Sequence, residues 1–203
     1  MRNGDCQIEP SLLQLLKNSA DKKDICKGSQ LHAHILKQGL LQRSPHIACS
    51  LINLFAKCGH LPKARNVLEE LPVRDSVCWN ALISGYAQEG LGHEALECLE
   101  TMQREGMLPD VVTYICILKA CGSIGAIANG KKLHAEILQK GMVEKSVMVG
   151  NGLVDMYAKC GLLAKAQKVF EELPVRNVIS WSALIAGYAR AGQGNEAIDC
   201  LYQ

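Results

Sequence analysis

The chain has 203 residues, of which 48% are hydrophobic and 21% are charged, a balance typical of a globular protein and not of a disordered one. No apolar run approaches the ~18 residues that a membrane helix needs, because Gly, Asp, Lys or Gln interrupts each one. The net charge of +2 does not by itself indicate nucleic-acid binding, which requires Lys and Arg concentrated on one face.

The N-terminal segment carries Asp5, Glu9, Asp21 and Asp24 and contains no apolar region of the signal-peptide type. Transit peptides are poor in acidic residues, so no targeting peptide is visible in this chain. The segment therefore does not reveal a localisation.

Ten cysteines are present, and several recur at a fixed distance of 102 residues, as Cys58 does at Cys160 and Cys98 at Cys200. A cysteine inside a packed helix behaves as a small hydrophobic residue. We therefore predict buried or half-buried free thiols rather than a disulfide framework, and a reducing compartment.

The distance of 102 residues is the period of an internal repeat. The stretch "WNALISGYAQEG" at residues 79–90 returns as "WSALIAGYARAG" at residues 181–192, with eight of twelve residues unchanged. The same distance joins "LHAHILKQG" from Leu31 to "LHAEILQKG" from Leu133. A fixed period of this kind indicates an array of stacked supersecondary units and not a single closed core.

In chain order, each unit is predicted to be a pair of antiparallel helices joined by a short turn. Apolar residues recur at helical spacing, as in Leu82, Ile83 and Tyr86, and no segment alternates like a strand. One pair cannot bury its apolar faces alone, so ~3 or more stacked units are needed for stability. The predicted units occupy residues 9–44, 45–75, 76–110, 111–146 and 147–177, followed by an incomplete unit at residues 178–203.

Helix ends are predicted from capping chemistry, because glycine tolerates the left-handed backbone and proline cannot continue a helix. Glycines that follow helical runs stand at Gly59, Gly90, Gly122, Gly141 and Gly161. Prolines that follow other helical runs stand at Pro72, Pro109 and Pro174.

The unequal lengths of 36, 31 and 35 residues resemble the pentatricopeptide repeat proteins of plants, in the subclass that alternates long, short and standard motifs. The segment from Val111 ("VVTYICILKACGSIGAIANGKKLHAEILQKG") is similar to the long motif, that from Val147 ("VMVGNGLVDMYAKCGLLAKAQKVFEELPVRN") to the short one, and that from Ser76 ("SVCWNALISGYAQEGLGHEALECLETMQREGMLPD") to the standard one. The resemblance implies a right-handed α-solenoid that binds single-stranded RNA, roughly one nucleotide per repeat. It also implies a mitochondrion or chloroplast, and RNA processing or C-to-U editing.

The last unit stops at Gln203, where its equivalent continues from Thr101 to Asp110. We therefore expect a fragment or truncated gene product without the C-terminal deaminase domain of this subclass. A deaminase or editing factor would then be supplied in trans. Uncapped helix faces at both ends would favour self-association.

A tetratricopeptide array, which is a protein-binding scaffold, is the main alternative, because Trp181, Leu184 and Tyr188 fit its first-helix pattern. Such an array keeps a constant period of about 34 residues, and this chain does not. A decayed copy that binds nothing tightly is a further alternative.

The resemblance assigns base reading to one polar residue near the start of each first helix and to the last residue of each motif. The corresponding pairs are Asn80 with Asp110, Asn151 with Asn177, and Cys49 with Asp75, while Ser182 lacks its partner. Asn is a poor helix former, so Asn80 and Asn151 suggest a role beyond the helix itself. N-capping is the alternative for Asp75, Asp110 and Asn177, because each precedes a helix.

By resemblance, Asn with Asp prefers uracil, Asn with Asn prefers cytosine, and a leading Ser suggests a purine. The pair of Cys49 with Asp75 has no assigned base. The long motifs offer Leu13 with Ser44 and Ile115 with Ser146. An apolar first member cannot read a base edge by hydrogen bonding.

Signals that resemble catalytic motifs are predicted to be structural. "HAE" at residues 134–136 matches part of a zinc deaminase signature, but no P-C-x-x-C follows. "GAIANGKK" at residues 125–132 departs from a Walker A loop at Lys132 and follows no strand. We predict a non-enzymatic chain with no catalytic residue, no metal and no cofactor.

Overall fold

The computed structural model describes residues 5–200, with side chains described from residue 9. Within that range every regular element is a helix, and none is long and apolar enough to cross a bilayer. The helices up to residue 104 are α1 (Asp5–Asp21), α2 (Ile25–Lys37), α3 (Leu40–Arg43), α4 (Pro45–Lys57), α5 (Leu61–Glu69), α6 (Ser76–Gln88) and α7 (Gly92–Arg104). Those that follow are α8 (Val111–Ile124), α9 (Ile127–Gln139), α10 (Met142–Lys145), α11 (Val147–Lys159), α12 (Leu163–Glu172), α13 (Val178–Arg190) and α14 (Gly194–Asp199).

The helices form two compact units. The first unit comprises residues 1–89 and 97–108, and the second comprises residues 90–96 and 109–203. In the first unit α4 packs against α1, α5 and α6, and in the second α11 packs against α8, α12 and α13. Within each unit the first helices of successive pairs are therefore neighbours, and the predicted all-α solenoid of stacked helix pairs is confirmed.

The core of each unit lies where the apolar faces of these helices meet. Each Leu, Ile or Phe side chain removed from water stabilises the fold by about 1.5–3 kcal/mol. Fully buried side chains of the first unit include Leu16, Ile35, Leu51, Phe55 and Leu82. Buried side chains of the second include Tyr114, Ile117, Leu153, Val154 and Leu184.

Most of the predicted helix ends are observed. Gly59, Gly90, Gly141 and Gly161 have φ values of 74°, 75°, 58° and 74°, in the left-handed region that favours glycine. The prediction for Gly122 is wrong, because α8 continues through it to Ile124 and Gly125 ends the helix at φ 66°. Gly122 is buried, and a Cβ there would lie 3.3 Å from the Cα of Met156, so close packing rather than helix termination requires this glycine.

The division of the chain into motifs stays a prediction. Helix α1 begins at Asp5, before the predicted start of the first motif at residue 9, and contains Pro10. Two short helices, α3 and α10, follow the second helices of the predicted long motifs and were not expected. Residues 201–203 of the incomplete motif lie outside the described residues.

Two equivalent arginines, Arg74 and Arg176, follow the second helices of the predicted short motifs and bind the carbonyl groups at their ends. Nε of Arg74 donates a hydrogen bond to the carbonyl of Leu68 at 3.0 Å, and Nε of Arg176 donates to the carbonyl of Phe170 at 3.2 Å. The last carbonyls of a helix lack intrahelical donors, so the guanidinium groups satisfy them. The two arginines end the repeated "EELPVR" at residues 69–74 and 171–176, and their role there is structural.

Candidate nucleic-acid interface

Each unit carries a cavity lined by its first helices. The first cavity has a volume of 580 Å³ and lies among α1, α4 and α6, and the second has a volume of 520 Å³ and lies among α8, α11 and α13. The first cavity is lined by Pro10, Leu13, Gln14, Lys17, Ala20, His46, Cys49, Ser50, Asn53, Lys57, Asp75 and Val77. The second cavity is lined by Ile115, Lys119, Met148, Asn151, Gly152, Asp155, Lys159, Ile179, Ser182, Ala183 and Ala186.

The two cavities are copies of one another at the 102-residue spacing. Eight lining positions correspond, namely Leu13 to Ile115, Lys17 to Lys119, His46 to Met148, Cys49 to Asn151, Ser50 to Gly152, Asn53 to Asp155, Lys57 to Lys159 and Val77 to Ile179. Volumes of this size suit a small planar ligand. The internal repeat thus reproduces a binding-sized cavity and not only a packing pattern.

Apolar side chains stand exposed at both cavities. Val77, Met148 and Ile179 are 61%, 62% and 63% exposed, and each is the second residue of its helix. An exposed apolar side chain at a recurring position of a cavity rim favours contact with the flat face of a ligand. Val77, Met148 and Ile179 are not among the predicted site residues, although the recurrence of apolar residues at the second position of α6, α11 and α13 is visible in the sequence.

At the second cavity the predicted pair Asn151 and Asn177 is brought into direct contact. Nδ2 of Asn151 donates to Oδ1 of Asn177 at 3.2 Å. Asn151 is only 5% exposed, and its Oδ1 is buried with no hydrogen-bond partner among the described residues. A buried carbonyl oxygen without a donor costs about 1–3 kcal/mol, so a ligand that donates an N–H in this cavity would relieve it.

At the first cavity the predicted pair Cys49 and Asp75 also meets. Sγ of Cys49 lies 3.5 Å from Oδ1 of Asp75, and Cys49 forms a disulfide with Cys78. The prediction of free thiols is wrong for these two cysteines, because α4 and α6 are neighbours and bring residues 29 positions apart to a Cα separation of 4.8 Å. Cys58, Cys121, Cys160 and Cys200 are buried or half-buried free thiols, as predicted, whereas Cys26 is a free thiol that is exposed.

The sulfur atoms of Cys49 and Cys78 and a carboxylate oxygen of Asp75 lie within 4.8 Å of one another. This is a set of three potential metal ligands, which the sequence spacing did not indicate. Once the two sulfurs are joined in a disulfide, they no longer offer the thiolates that a transition metal binds. The cluster is therefore a disulfide beside a carboxylate.

The other predicted base-reading residues lie on different helices or at helix ends. Asn80 is 8% exposed within α6 of the first unit. Asp110 caps α8 in the second unit, where its Oδ1 accepts from the backbone N–H of Thr113 at 2.9 Å. Ser182 is exposed at the second cavity, and its hydroxyl donates to the carbonyl of Val178 at 2.6 Å.

The capping alternative is confirmed for all three acidic or amide residues at the motif ends. Oδ1 of Asp75 accepts from the backbone N–H of Cys78 at 2.8 Å, and Oδ1 of Asn177 accepts from that of Ser180 at 3.0 Å. Asp110 forms a complete capping box with Thr113. N-capping by these residues is compatible with ligand contact, and their role as base readers stays a prediction.

Lysines bring positive charge to both cavities. Lys57 pairs with Asp21 at 3.1 Å, and Lys159 pairs with Asp155 at 2.6 Å. Lys17 and Lys119 are exposed equivalents, and the structure gives neither an ion-pair partner in the described part of the chain. An exposed ammonium group beside each cavity suits an anionic backbone.

The segment that resembles a deaminase signature is used for packing. Nδ1 of His134 lies 2.9 Å from the hydroxyl of Tyr157, and burial lowers the pKa of this imidazole. Glu136 accepts from Lys140 at 2.7 Å and from the hydroxyl of Tyr114 at 2.6 Å. Burial opposes ionisation of Glu136, but these two hydrogen bonds hold the pKa of its carboxyl below the usual value.

The fold and the two cavities define a helical-repeat protein with repeated cavities on its first helices. The chain matches the PPR repeat at residues 48–75, 151–178 and 179–203, and the PPR repeat family at residues 74–123. The chain belongs to the pentatricopeptide (PPR) repeat family.

Relatives and solved structures agree with this membership. A chloroplastic pentatricopeptide repeat-containing protein of Arabidopsis thaliana is 36% identical over 95% of this chain and 31% of its own length. A mitochondrial one from the same plant is 37% identical over 98% of this chain and 31% of its own length. The chain thus spans about a third of these relatives.

The solved structures include PPR10 from maize, which is 21% identical and superimposes with a TM-score of 0.75 over 95% of this chain and 28% of its own. PPR10 in complex with an 18-nt psaJ RNA element is 20% identical, with a TM-score of 0.76 over 93% of this chain and 28% of its own. The helical-repeat fold is therefore shared.

Proposed function

We propose that the chain binds single-stranded RNA without catalysing a reaction, and that each cavity accepts one base. The observation that carries the proposal is Asn151 in the second cavity, whose buried Oδ1 lacks a donor. A base with an exocyclic amine supplies that donor. Cytosine is such a base, in agreement with the preference that resemblance assigns to Asn151 with Asn177.

The surroundings of Asn151 suit a base in shape as well as in hydrogen bonding. A base has two flat faces and one polar edge, and single-stranded RNA exposes both. In the second cavity the exposed Met148 and Ile179 are available to the faces, and the Asn151–Asn177 pair is available to the edge. In the first cavity His46 and Val77 take the equivalent positions.

The RNA backbone would be held by the lysines beside the cavities. Lys17 and Lys119 are exposed, so they can approach a phosphate without losing an internal ion pair. Each phosphate neutralised on a single strand adds ~0.7 to the dependence of log binding constant on log salt concentration. A protein-binding scaffold has no comparable reason for such a dependence on RNA.

The likeness of the fold to PPR10, which is solved in complex with RNA, supports this proposal. The names of the chloroplastic and mitochondrial relatives support an organelle as the location. Within the proposal, the motifs alternate as long, short and standard, and each contacts about one nucleotide. The chain supplies the recognition part of organelle RNA processing or C-to-U editing, with any deaminase contributed by another chain.

The test is equilibrium binding of the whole chain to a randomised single-stranded RNA pool. We expect C to be enriched at one position, and Asn151→Ser to change that preference to a purine, because a shorter hydroxyl replaces the amide at the base edge. Asn66→Ser is the matched control, since Asn66 is exposed on α5 and lines neither cavity.

A chain that is helical by circular dichroism and enriches no base at any position would contradict the proposal. A preference that Asn66→Ser alters as strongly as Asn151→Ser would also contradict it. Either result would favour the helical scaffold that binds protein.

A further inference from the structure

The disulfide between Cys49 and Cys78 lies at the first cavity and joins α4 to α6. Cys49 is half-buried and lines the cavity, whereas Cys78 is 1% exposed and does not line it. Cys49 is also the residue that occupies the predicted base-reading position of its repeat. A disulfide is thus located at a candidate ligand site.

We infer that Cys49 and Cys78 form a reversible redox modification site that controls base recognition in the first cavity. This inference rests on the proposed RNA binding. It adds a regulation that acts on one cavity and leaves the other unchanged.

The exchange partner is a dithiol, and the step balances without any other reactant. A thiolate of the dithiol attacks Sγ of Cys49, the Sγ–Sγ bond breaks, and Cys78 leaves as a thiolate that takes up a proton. The second thiol of the partner then displaces Cys49, which takes up the second proton, and the partner becomes a disulfide. Two electrons and two protons pass to the protein, and a small disulfide such as oxidised glutathione reverses the step.

The geometry directs this exchange to Cys49. Its sulfur faces the open cavity, while the sulfur of Cys78 is enclosed at the start of α6. Three other thiols compete poorly for oxidation, because burial raises the pKa of Cys58 and Cys160 and raises that of Cys121 to about 12. These thiols remain protonated at neutral pH, and the thiolate is the reactive form.

Reduction changes what the first cavity offers to a base. In the disulfide neither sulfur carries a hydrogen, so the predicted pair of Cys49 and Asp75 presents only acceptors. Reduction makes the S–H of Cys49 a donor, and in the disulfide its sulfur already lies 3.5 Å from a carboxylate oxygen of Asp75. The reduced cavity therefore holds a donor and an acceptor beside one another, which is what reading a base edge requires.

The second cavity serves as a control for the effect of the disulfide, because it lacks both cysteines. Asn151 stands where the first cavity has Cys49, and Ser180 stands where it has Cys78. No disulfide forms at these positions, so base recognition there is independent of redox state. The substitution Cys78→Ser is one that the chain itself accepts at the equivalent position, where Ser180 completes the capping box of Asn177.

The first part of the test does not involve RNA. The whole chain is equilibrated across a series of glutathione redox ratios, its thiols are alkylated, and the linked peptides are identified by mass spectrometry. We expect a Cys49–Cys78 disulfide that forms and is reduced reversibly, and that is absent in Cys78→Ser. A pair that stays reduced throughout, pairs with other cysteines, or binds zinc in place of the disulfide would overturn the inference.

The second part measures base preference with the randomised RNA pool for the oxidised chain and for the chain reduced with dithiothreitol. The family resemblance implies that successive motifs run along RNA from 5′ to 3′, and the motif of Cys49 precedes that of Asn151 by three motifs. We therefore expect the reduced chain to discriminate bases at the nucleotide three positions 5′ of the one altered by Asn151→Ser. Oxidation should weaken that discrimination by about threefold or more, the ratio that one net hydrogen bond provides. Cys78→Ser should behave like the reduced chain under both conditions.

The two proposals fail in different ways. RNA binding with equal discrimination in both redox states overturns the redox control and leaves the proposed function standing. Absence of RNA binding in both states overturns the proposed function and the control of recognition, while the thiol mapping still decides whether the disulfide is reversible.

Discussion

The first and second cavities have equivalent positions, yet they differ in chemistry where a ligand would touch them. The first presents Cys49 and the second presents Asn151, and the residues behind them are Cys78 and Ser180. The second cavity holds an amide pair with an unsatisfied oxygen, whereas the first holds a disulfide beside a carboxylate. The comparison teaches that this fold accommodates different side-chain chemistry at the cavity-lining positions of the first helices.

The backbone contacts that position those helices differ much less between the copies. A Cβ added at Gly85 would lie 2.8 Å from the Cβ of Ala56, and one added at Gly187 would lie 2.7 Å from the Cβ of Ala158. Real Cβ atoms do not approach so closely, so both glycines are needed where neighbouring first helices touch. The close helix approach is thus common to both copies, and the cavity chemistry is not.

The largest difference in stability between the two copies is expected when Gly28 and its equivalent Gly130 are replaced. A Cβ at Gly28 would lie 2.4 Å from the buried Leu54, and one at Gly130 would lie 2.6 Å from the sulfur of Met156. Overpacking against leucine costs about 1–3 kcal/mol, whereas the thioether adapts more readily. We expect Gly28→Ala to lower the free energy of unfolding by about 1–3 kcal/mol and Gly130→Ala to change it by less than about 1 kcal/mol.

The measurement is urea unfolding of each variant, followed by circular dichroism. Gly85→Ala and Gly187→Ala serve as a matched pair, because in each the added Cβ would clash with the Cβ of an alanine. The two substitutions should therefore lower the free energy of unfolding by similar amounts. If Gly28→Ala and Gly130→Ala lowered the free energy of unfolding equally, Met156 would not accommodate the added Cβ more readily than Leu54, and the prediction would be wrong.

A smaller effect is expected where His32 packs on Phe55 and His134 packs on Tyr157. Both ring pairs have centroids 5.5 Å apart, but only His134 has a hydroxyl partner, and Nε2 of His32 is buried without one among the described residues. We expect Phe55→Tyr to raise the free energy of unfolding by about 0.5–1.5 kcal/mol, because the new hydroxyl would be placed to pair with Nδ1 of His32 as that of Tyr157 pairs with Nδ1 of His134. We expect Tyr157→Phe, which removes that hydroxyl, to lower the free energy of unfolding by about 1–2 kcal/mol.

Thermal and urea unfolding of both variants check this prediction at pH 7.5, where both imidazoles are neutral because burial lowers the pKa of each. Destabilisation by Phe55→Tyr would mean that the first unit has no room for the hydroxyl and that the two histidine sites are not equivalent.

Much of the fold could be predicted from the sequence, because the relevant signals are local. Helical spacing of apolar residues and the glycines after each helix predicted the helix pairs, and the residues before the helices predicted the caps at Asp75, Asp110 and Asn177. Gly122 was misjudged because a glycine needed for close packing has the same sequence appearance as one that ends a helix. The period of 102 residues also predicted that the chain is built of repeated units.

The candidate site was only partly predictable, since it depends on which helices become neighbours. The pair Asn151 and Asn177 came from the family resemblance, and the structure adds the hydrogen bond between them. The Cys49–Cys78 disulfide joins residues 29 positions apart on different helices. Comparison of the two copies does not reveal it, because Ser180 occupies the position equivalent to Cys78. Exposure of Met148 likewise follows from the packing of α8, α11 and α13 and not from its own sequence context.

The most direct test of the central claim, that the two cavities are equivalent base sites, converts the first cavity toward the second. The double variant Cys49→Asn, Cys78→Ser places an Asn beside Asp75. The family resemblance assigns a preference for uracil to this combination. With the randomised RNA pool we expect U to become enriched at the nucleotide three positions 5′ of the one whose preference Asn151→Ser alters, with the preference at that second position unchanged. A folded double variant whose base preferences match those of the parent chain at every position would contradict the account.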